Sequence, residues 1–158
     1  MKIKSLLATA AIFATVLTGC ASVPTADPAL DAKFKEFKSP EEGLAGLYLY
    51  RKTTPFGAAL KKTLYVDKKE VGETAIGTYF YFQVKPGEHE IATESEFSPN
   101  AIKVSCEEGK NTYVEQYIKL GLFVGGANLK QVDEAKAQDV LKSCKLAQGL
   151  IEPGTKLE

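Results

Sequence analysis

The run Thr78-Tyr79-Phe80-Tyr81-Phe82-Gln83-Val84 decides the fold, together with the Lys85-Pro86-Gly87-Glu88 and His89-Glu90-Ile91-Ala92-Thr93-Glu94-Ser95 that follow it. Aromatic and branched side chains dominate the first seven residues, which suits a pleated strand. Successive strand side chains point to opposite faces. Phe80 and Phe82 therefore share one face, read as the core side, and Tyr79 and Tyr81 share the other, read as the outer side. Pro-Gly is a turn signal, because Pro presets φ and Gly accepts positive φ. Residues 89–95 then read as the returning strand.

The same two-residue period recurs outward from this stretch, at 47–50, 63–66, 101–106, 111–120 and 128–132. Polar turns separate these runs, notably Asp67-Lys68-Lys69-Glu70 and Glu107-Glu108-Gly109-Lys110. About seven short strands with regular turns predict a mainly β chain, an immunoglobulin-like antiparallel β-sandwich. Residues 133–145 hold no breaker and predict a C-terminal helix, with Val132, Ala135 or Ala137, Val140, Leu141 and Cys144 facing inward. The sandwich with its helix spans 43–147. Residues 148–158 read as a loose tail.

Before the sandwich, residues 20–42 read as a tether punctuated by Pro24, Pro28 and Pro40. Asp27-Pro28 is a helix start, with Asp as the cap and Pro in the first turn. Leu30, Phe34 and Phe37 fall on one face of that short helix. Such a stripe packs back on its own domain or meets a membrane surface or partner.

The N-terminus has its own pattern. Lys2 and Lys4 precede an apolar run from Leu6 to Leu17. A run of that length is short for the roughly 30 Å of bilayer hydrocarbon and fits the hydrophobic region of a secretory signal. It ends in Leu17-Thr18-Gly19-Cys20, which resembles the lipobox of bacterial lipoproteins. The resemblance implies removal of residues 1–19, a diacylglyceryl thioether on Cys20, and acylation of the new N-terminus. Several acyl chains on one residue anchor a protein durably, whereas one chain does so only marginally. Ala21-Ser22 follows, without the Asp that favours retention in the inner membrane, and points to the outer membrane.

Composition narrows the partners. Twenty basic and twenty acidic residues give a formal charge of zero. That balance provides no footprint for nucleic acid. The expected partners are the membrane, through lipid on Cys20, and another envelope protein. The remaining cysteines are Cys106 and Cys144. In an oxidising compartment two such thiols pair; otherwise they remain two separate buried thiols that behave as small hydrophobes.

Leu64-Tyr65-Val66-Asp67, Val71-Gly72-Glu73 and Lys85-Pro86-Gly87-Glu88-His89-Glu90-Ile91 together resemble the PEGA-type and carboxypeptidase-regulatory-like β-sandwich modules. Thr74-Ala75-Ile76-Gly77 stands where the PEGA tetrad would be. A resemblance covering most of the mature chain is carried by residues 37–51 (FKSPEEGLAGLYLYR), the Val-Asp hairpin, Tyr79-Phe80 and Pro86-Gly87-Glu88-His89. It is to an uncharacterised domain-of-unknown-function family of bacterial lipoproteins. This resemblance implies a sandwich at the envelope and no particular activity.

No chemical constellation emerges from the residues. His89 is the only imidazole, and its neighbours Glu88 and Glu90 point to the opposite face of the strand. One His and two cysteines are too few ligands for a zinc site. Glu90, Glu94 and Glu96 share a face, which reads as a solvated surface rather than a calcium or carbohydrate site. Catalytic, cofactor and metal residues are therefore all read as none. Tyr79 and Tyr81 offer a surface on which sugar rings could stack. Two apolar, glycine-broken loops remain, residues 54–60 and 121–127, holding Phe56, Leu60, Leu122, Phe123 and Val124. They either close the core or form an interaction surface. The reading at this level is a non-enzymatic, outer-membrane-anchored interaction module; the alternative is a glycan- or peptidoglycan-binding module.

Overall fold

The computed structural model describes residues 19–123 and 125–158. The signal segment up to residue 18, and Val124, lie outside the described residues. Among the described residues nine strands form two sheets: β1 (Ala45–Arg51), β2 (Lys62–Val66), β3 (Lys69–Thr74), β4 (Thr78–Val84), β5 (Gly87–Thr93), β6 (Asn100–Cys106), β7 (Asn111–Lys119), β8 (Gly126–Gln131) and β9 (Lys145–Leu146). Helix α1 (Pro28–Phe34) precedes them, and α2 (Glu134–Leu141) lies between β8 and β9. One sheet has the order β8-β7-β1-β4-β9, the other β3-β2-β5-β6.

The expected sandwich is present, and its core has the predicted parity. Leu47, Leu49, Phe80, Phe82 and Val114 of the five-stranded sheet meet Leu64, Val66, Val71, Ile91 and Val104 of the other, all buried. Three features of the pairing differ from the expectation. The Pro86-Gly87 turn does not close a hairpin: it carries the chain from β4 in one sheet to β5 in the other. The polar turn after β2 is only Asp67-Lys68, both at positive φ, so β3 begins at once as a hairpin partner. Two positive φ values in a two-residue turn match the right-handed twist of the flanking strands. Finally, β1 runs parallel to β7, with Tyr48 opposite Tyr113. Parallel neighbours need a long connection, and here that connection is β2 to β6.

The flanking segments are the larger correction. The tail expected to be loose is fastened along β4: Gly154 N–H donates to the Tyr81 carbonyl, Gln83 N–H to Thr155, and Leu157 N–H to Gln83. β9 pairs only with Thr78 and Tyr79 of β4, so the rest of that strand would be a bare edge, and native sheets cover such edges. Leu157 enters the main core. Gly149 permits the approach: a Cβ there would meet the Val71 carbonyl at 2.2 Å. The expected tether is likewise docked. Thr25 bridges Ala147, and Gln148 N–H donates to Pro24. α1 forms as expected, with Asp27 capping the Ala29 N–H at 2.7 Å.

Leu157→Ala should lower the free energy of unfolding by about 2 kcal/mol, the low end for a buried leucine, in urea titration. A free tail would give no change.

Candidate functional site

The tyrosine row is the first candidate, and the structure closes it. Tyr48, Tyr50, Tyr79, Tyr81 and Tyr113 do point outward from the five-stranded sheet, but all of them are buried. α1, α2 and the residues after α2 cover them through Phe34, Ala137, Leu141, Cys144 and Leu146. The rings pack on each other, Tyr48 to Tyr81 at 4.5 Å and Tyr48 to Tyr113 at 5.1 Å between centroids. Their hydroxyls fasten the cover: Tyr48 donates to the Phe34 carbonyl at 2.8 Å, Tyr79 to that of Asp31 at 3.3 Å, and Tyr113 accepts from Gln138 at 2.9 Å. This second core has no surface for stacking a sugar. The stripe Leu30, Phe34 and Phe37 packs here, back on its own domain.

The thiols do not pair. Cys106 and Cys144 are both free and buried. Strand parity turns Cys106 into the space between the sheets. Cys144 lies in the tyrosine layer on the far side of the five-stranded sheet. Burial raises both thiol pKa values, that of Cys144 to about 11. Cys20, by contrast, is exposed.

His89 is occupied structurally, Nδ1 bonding Asp67 at 2.6 Å and Nε2 the Lys85 carbonyl at 2.7 Å. It joins the β2–β3 turn to the β4–β5 crossover. Among the described residues no group of His, Cys, Asp and Glu is arranged to hold a metal. No described helix is long and apolar enough to cross a membrane. Glu94 pairs with Lys62 at 3.3 Å.

The two apolar loops come together. Gly57 of the β1–β2 loop packs on Ile118, and Gly125 of the β7–β8 loop packs on Leu60. The β5–β6 loop joins them, Glu96 accepting the backbone N–H groups of Leu122, at 2.6 Å, and Phe123. These loops do not close the core. Phe56, Phe97, Leu120, Leu122 and Phe123 are 49% to 84% exposed, and Leu60 and Ile118 belong to neither buried cluster. A polar layer separates them from the core. Gln116 bonds Thr74 and, at 2.7 Å, Thr93. Beside it the Arg51 guanidinium, 1% exposed, donates to the carbonyls of Leu60, at 2.7 Å, and Gly57. Burial lowers the Arg51 pKa. Arg51 and Gln116 escaped sequence reading because each ends or interrupts a strand pattern; a charged residue at the end of β1 was the available signal.

Cys20 sits beside this tip. The Ala21 N–H donates to the Ala58 carbonyl at 2.8 Å, so the exposed cysteine directly precedes a residue bonded to the β1–β2 loop.

Residues 41–127, from just before β1 to the start of β8, match the family described as a protein of unknown function, DUF2846. The chain belongs to the DUF2846 family. It is also 46% identical, over 147 residues, to an uncharacterized protein of Haemophilus influenzae, an alignment covering 92% of this chain and 87% of that one. No solved structure matches. The DUF2846 match includes the whole apolar tip and Arg51, while α1, α2 and the tail lie outside it.

The thiols and the phenols each give a test. Native protein should leave Cys106 and Cys144 unreactive to a thiol reagent at about pH 8, and denaturant without reductant should expose both. A disulfide would show neither. Tyr48, Tyr50, Tyr79 and Tyr81 all have pKa values raised chiefly by burial, and Tyr113 is pushed up to about 12. Unfolded tyrosines titrate near pH 10. Stability is therefore complete below about pH 10 and falls as pH rises toward 12, by about 1 kcal/mol at about pH 11 from Tyr113 alone. Denaturant titration with tyrosinate absorbance reads it; a pH-independent midpoint across that window would refute it.

Proposed function

We propose that this chain is a cell-envelope lipoprotein, anchored by acyl groups on Cys20 and acting as a non-catalytic interaction module toward another envelope component. The observation carrying the proposal is Leu17-Thr18-Gly19-Cys20 with Cys20 exposed at the start of the docked chain while the other two cysteines are buried. Acylation needs a reachable thiol, and the exposure of Cys20 supports that reading. Ala21-Ser22 supports delivery to the outer membrane. A non-catalytic role is supported by the structural engagement of the single histidine between Asp67 and Lys85. The glycan-binding alternative loses its support, since the tyrosines it relies on lie under the two helices.

Cells fed a labelled palmitate analogue should incorporate label into this protein, and Cys20→Ala should abolish it. The variant should move from the membrane fraction to the soluble one. Unlabelled wild type, or a Cys20→Ala protein still sedimenting with outer membranes, would overturn the proposal.

A further inference from the structure

Resting on that anchoring, we propose that the apolar tip made by Phe56, Leu60, Phe97, Leu120, Leu122 and Phe123 beds into the lipid leaflet that receives the Cys20 acyl chains, so that the domain stands end-on against the membrane.

Three observations converge on this. The first is position. β1 runs parallel to β7, and β2 runs antiparallel to β5, with Leu64 opposite Thr93 at the end of β5, so the loops after β1, β5 and β7 leave the sandwich at the same end. Cys20 is at that end too, held next to the Ala21–Ala58 bond. Acyl chains on Cys20 cannot enter a leaflet without bringing these loops to its surface, because the chain following Cys20 is docked rather than free.

The second is composition. Residues 54–60 and 120–125 contain no charged side chain, and Phe56, Leu120, Leu122 and Phe123 among them are exposed. The opposite end of the sandwich differs: its turns hold Lys68, Lys85, Glu107, Glu108 and Lys110, all exposed. Apolar surface gains by leaving water at roughly 25 cal/mol per Å2. Contiguous exposed patches of this kind mark contact sites.

The third is the tip's backbone. An apolar phase offers no hydrogen bonds, so unpaired N–H and C=O groups are costly there. Here several of them are satisfied from the protein side. Arg51 serves the carbonyls of Gly57 and Leu60, and Ala21 serves that of Ala58. Glu96 takes the N–H groups of Leu122 and Phe123. The Thr54 hydroxyl takes that of Phe56 at 3.1 Å, and the Gly57 carbonyl takes that of Leu60 at 2.9 Å.

The sequence contains no tryptophan, so Phe123→Trp supplies a single reporter at the tip and Glu108→Trp a control at the far end. Each full-length variant, purified from host membranes, is reconstituted into vesicles of phosphatidylethanolamine and phosphatidylglycerol with brominated acyl chains. Intact mass reports the acylation of Cys20. With acyl groups present, the indole of the Phe123→Trp variant should emit to the blue and lose most of its intensity. That of the Glu108→Trp variant should be unchanged from detergent-free buffer. Acylated protein in which the tip indole is unquenched, or in which both positions are quenched alike, overturns the tip while leaving the anchoring intact. Crosslinking from position 123 to an envelope protein, with the tip indole unquenched, would assign the tip to that protein instead. A mass without acyl groups removes the anchoring, and the tip proposal falls with it.

Discussion

The structure depends on a sheet that must be buried on both faces. β1 and β4 alternate aliphatic or Phe residues with Tyr, β7 adds Val114 to one row and Tyr113 to the other, and neither row tolerates water well. One row finds the four-stranded sheet. The other needs a second cover, and the chain supplies it from its ends. α1 comes from before the sandwich and α2 from after it, and tyrosine hydroxyls bond to the backbone or side chains of both. Ring burial drives the docking, and the phenol bonds fix its register. Segments outside the sandwich therefore become part of the domain.

How much of this was legible follows from what a periodic pattern encodes. Alternation in TYFYFQV separates two faces, and it assigned Phe80 and Phe82 to the core. It does not say what lies over Tyr79 and Tyr81, because that information sits far upstream in α1 and far downstream in α2. Strand positions were readable locally, and so was the cap at Asp27. Pairing was not: the parallel neighbours β1 and β7 are about sixty residues apart in the chain and meet only in the folded sheet, and β9 is two residues long. Gly149 and Gly154 look like breakers in isolation. In the fold Gly149 lies flat on β3, where a side chain would collide. The cysteines failed for a related reason. Their separation along the chain permits a bridge, but parity on β6 sends Cys106 to one side of the five-stranded sheet and Cys144 packs on the other.

The candidate site shows the same division. Its apolar content was visible as two glycine-broken loops, and so was Cys20. Whether the loops closed the core or faced outward was not decidable locally, since both readings need exposed ends of strands carrying apolar residues. The decision came from Gln116, Thr74, Thr93 and Arg51, which meet only in three dimensions. A polar layer that is internally hydrogen-bonded is a boundary: buried polar groups are stable there only when satisfied, and apolar side chains beyond it cannot be counted as core. The tip is therefore a separate surface feature.

Docking of the N-terminal segment then changes what a lipid anchor does. A free tether of roughly twenty residues would hold a domain at a distance and let it tumble, with a reach of roughly 25 Å. This chain instead binds Ala21 to the β1–β2 loop and Thr25 to Ala147, leaving almost no slack after Cys20. Acylation at such a residue would set orientation as well as location. The apolar end would face the leaflet, and the charged turns around Asp67, Lys85 and Glu107 would face away. A strand of about seven residues rises about 23 Å at roughly 3.3 Å per residue, which is the distance over which the sandwich would carry those turns from the lipid. On that geometry, the far end and the sheet edges are the surfaces left for a partner, and charge rather than apolar burial would choose it.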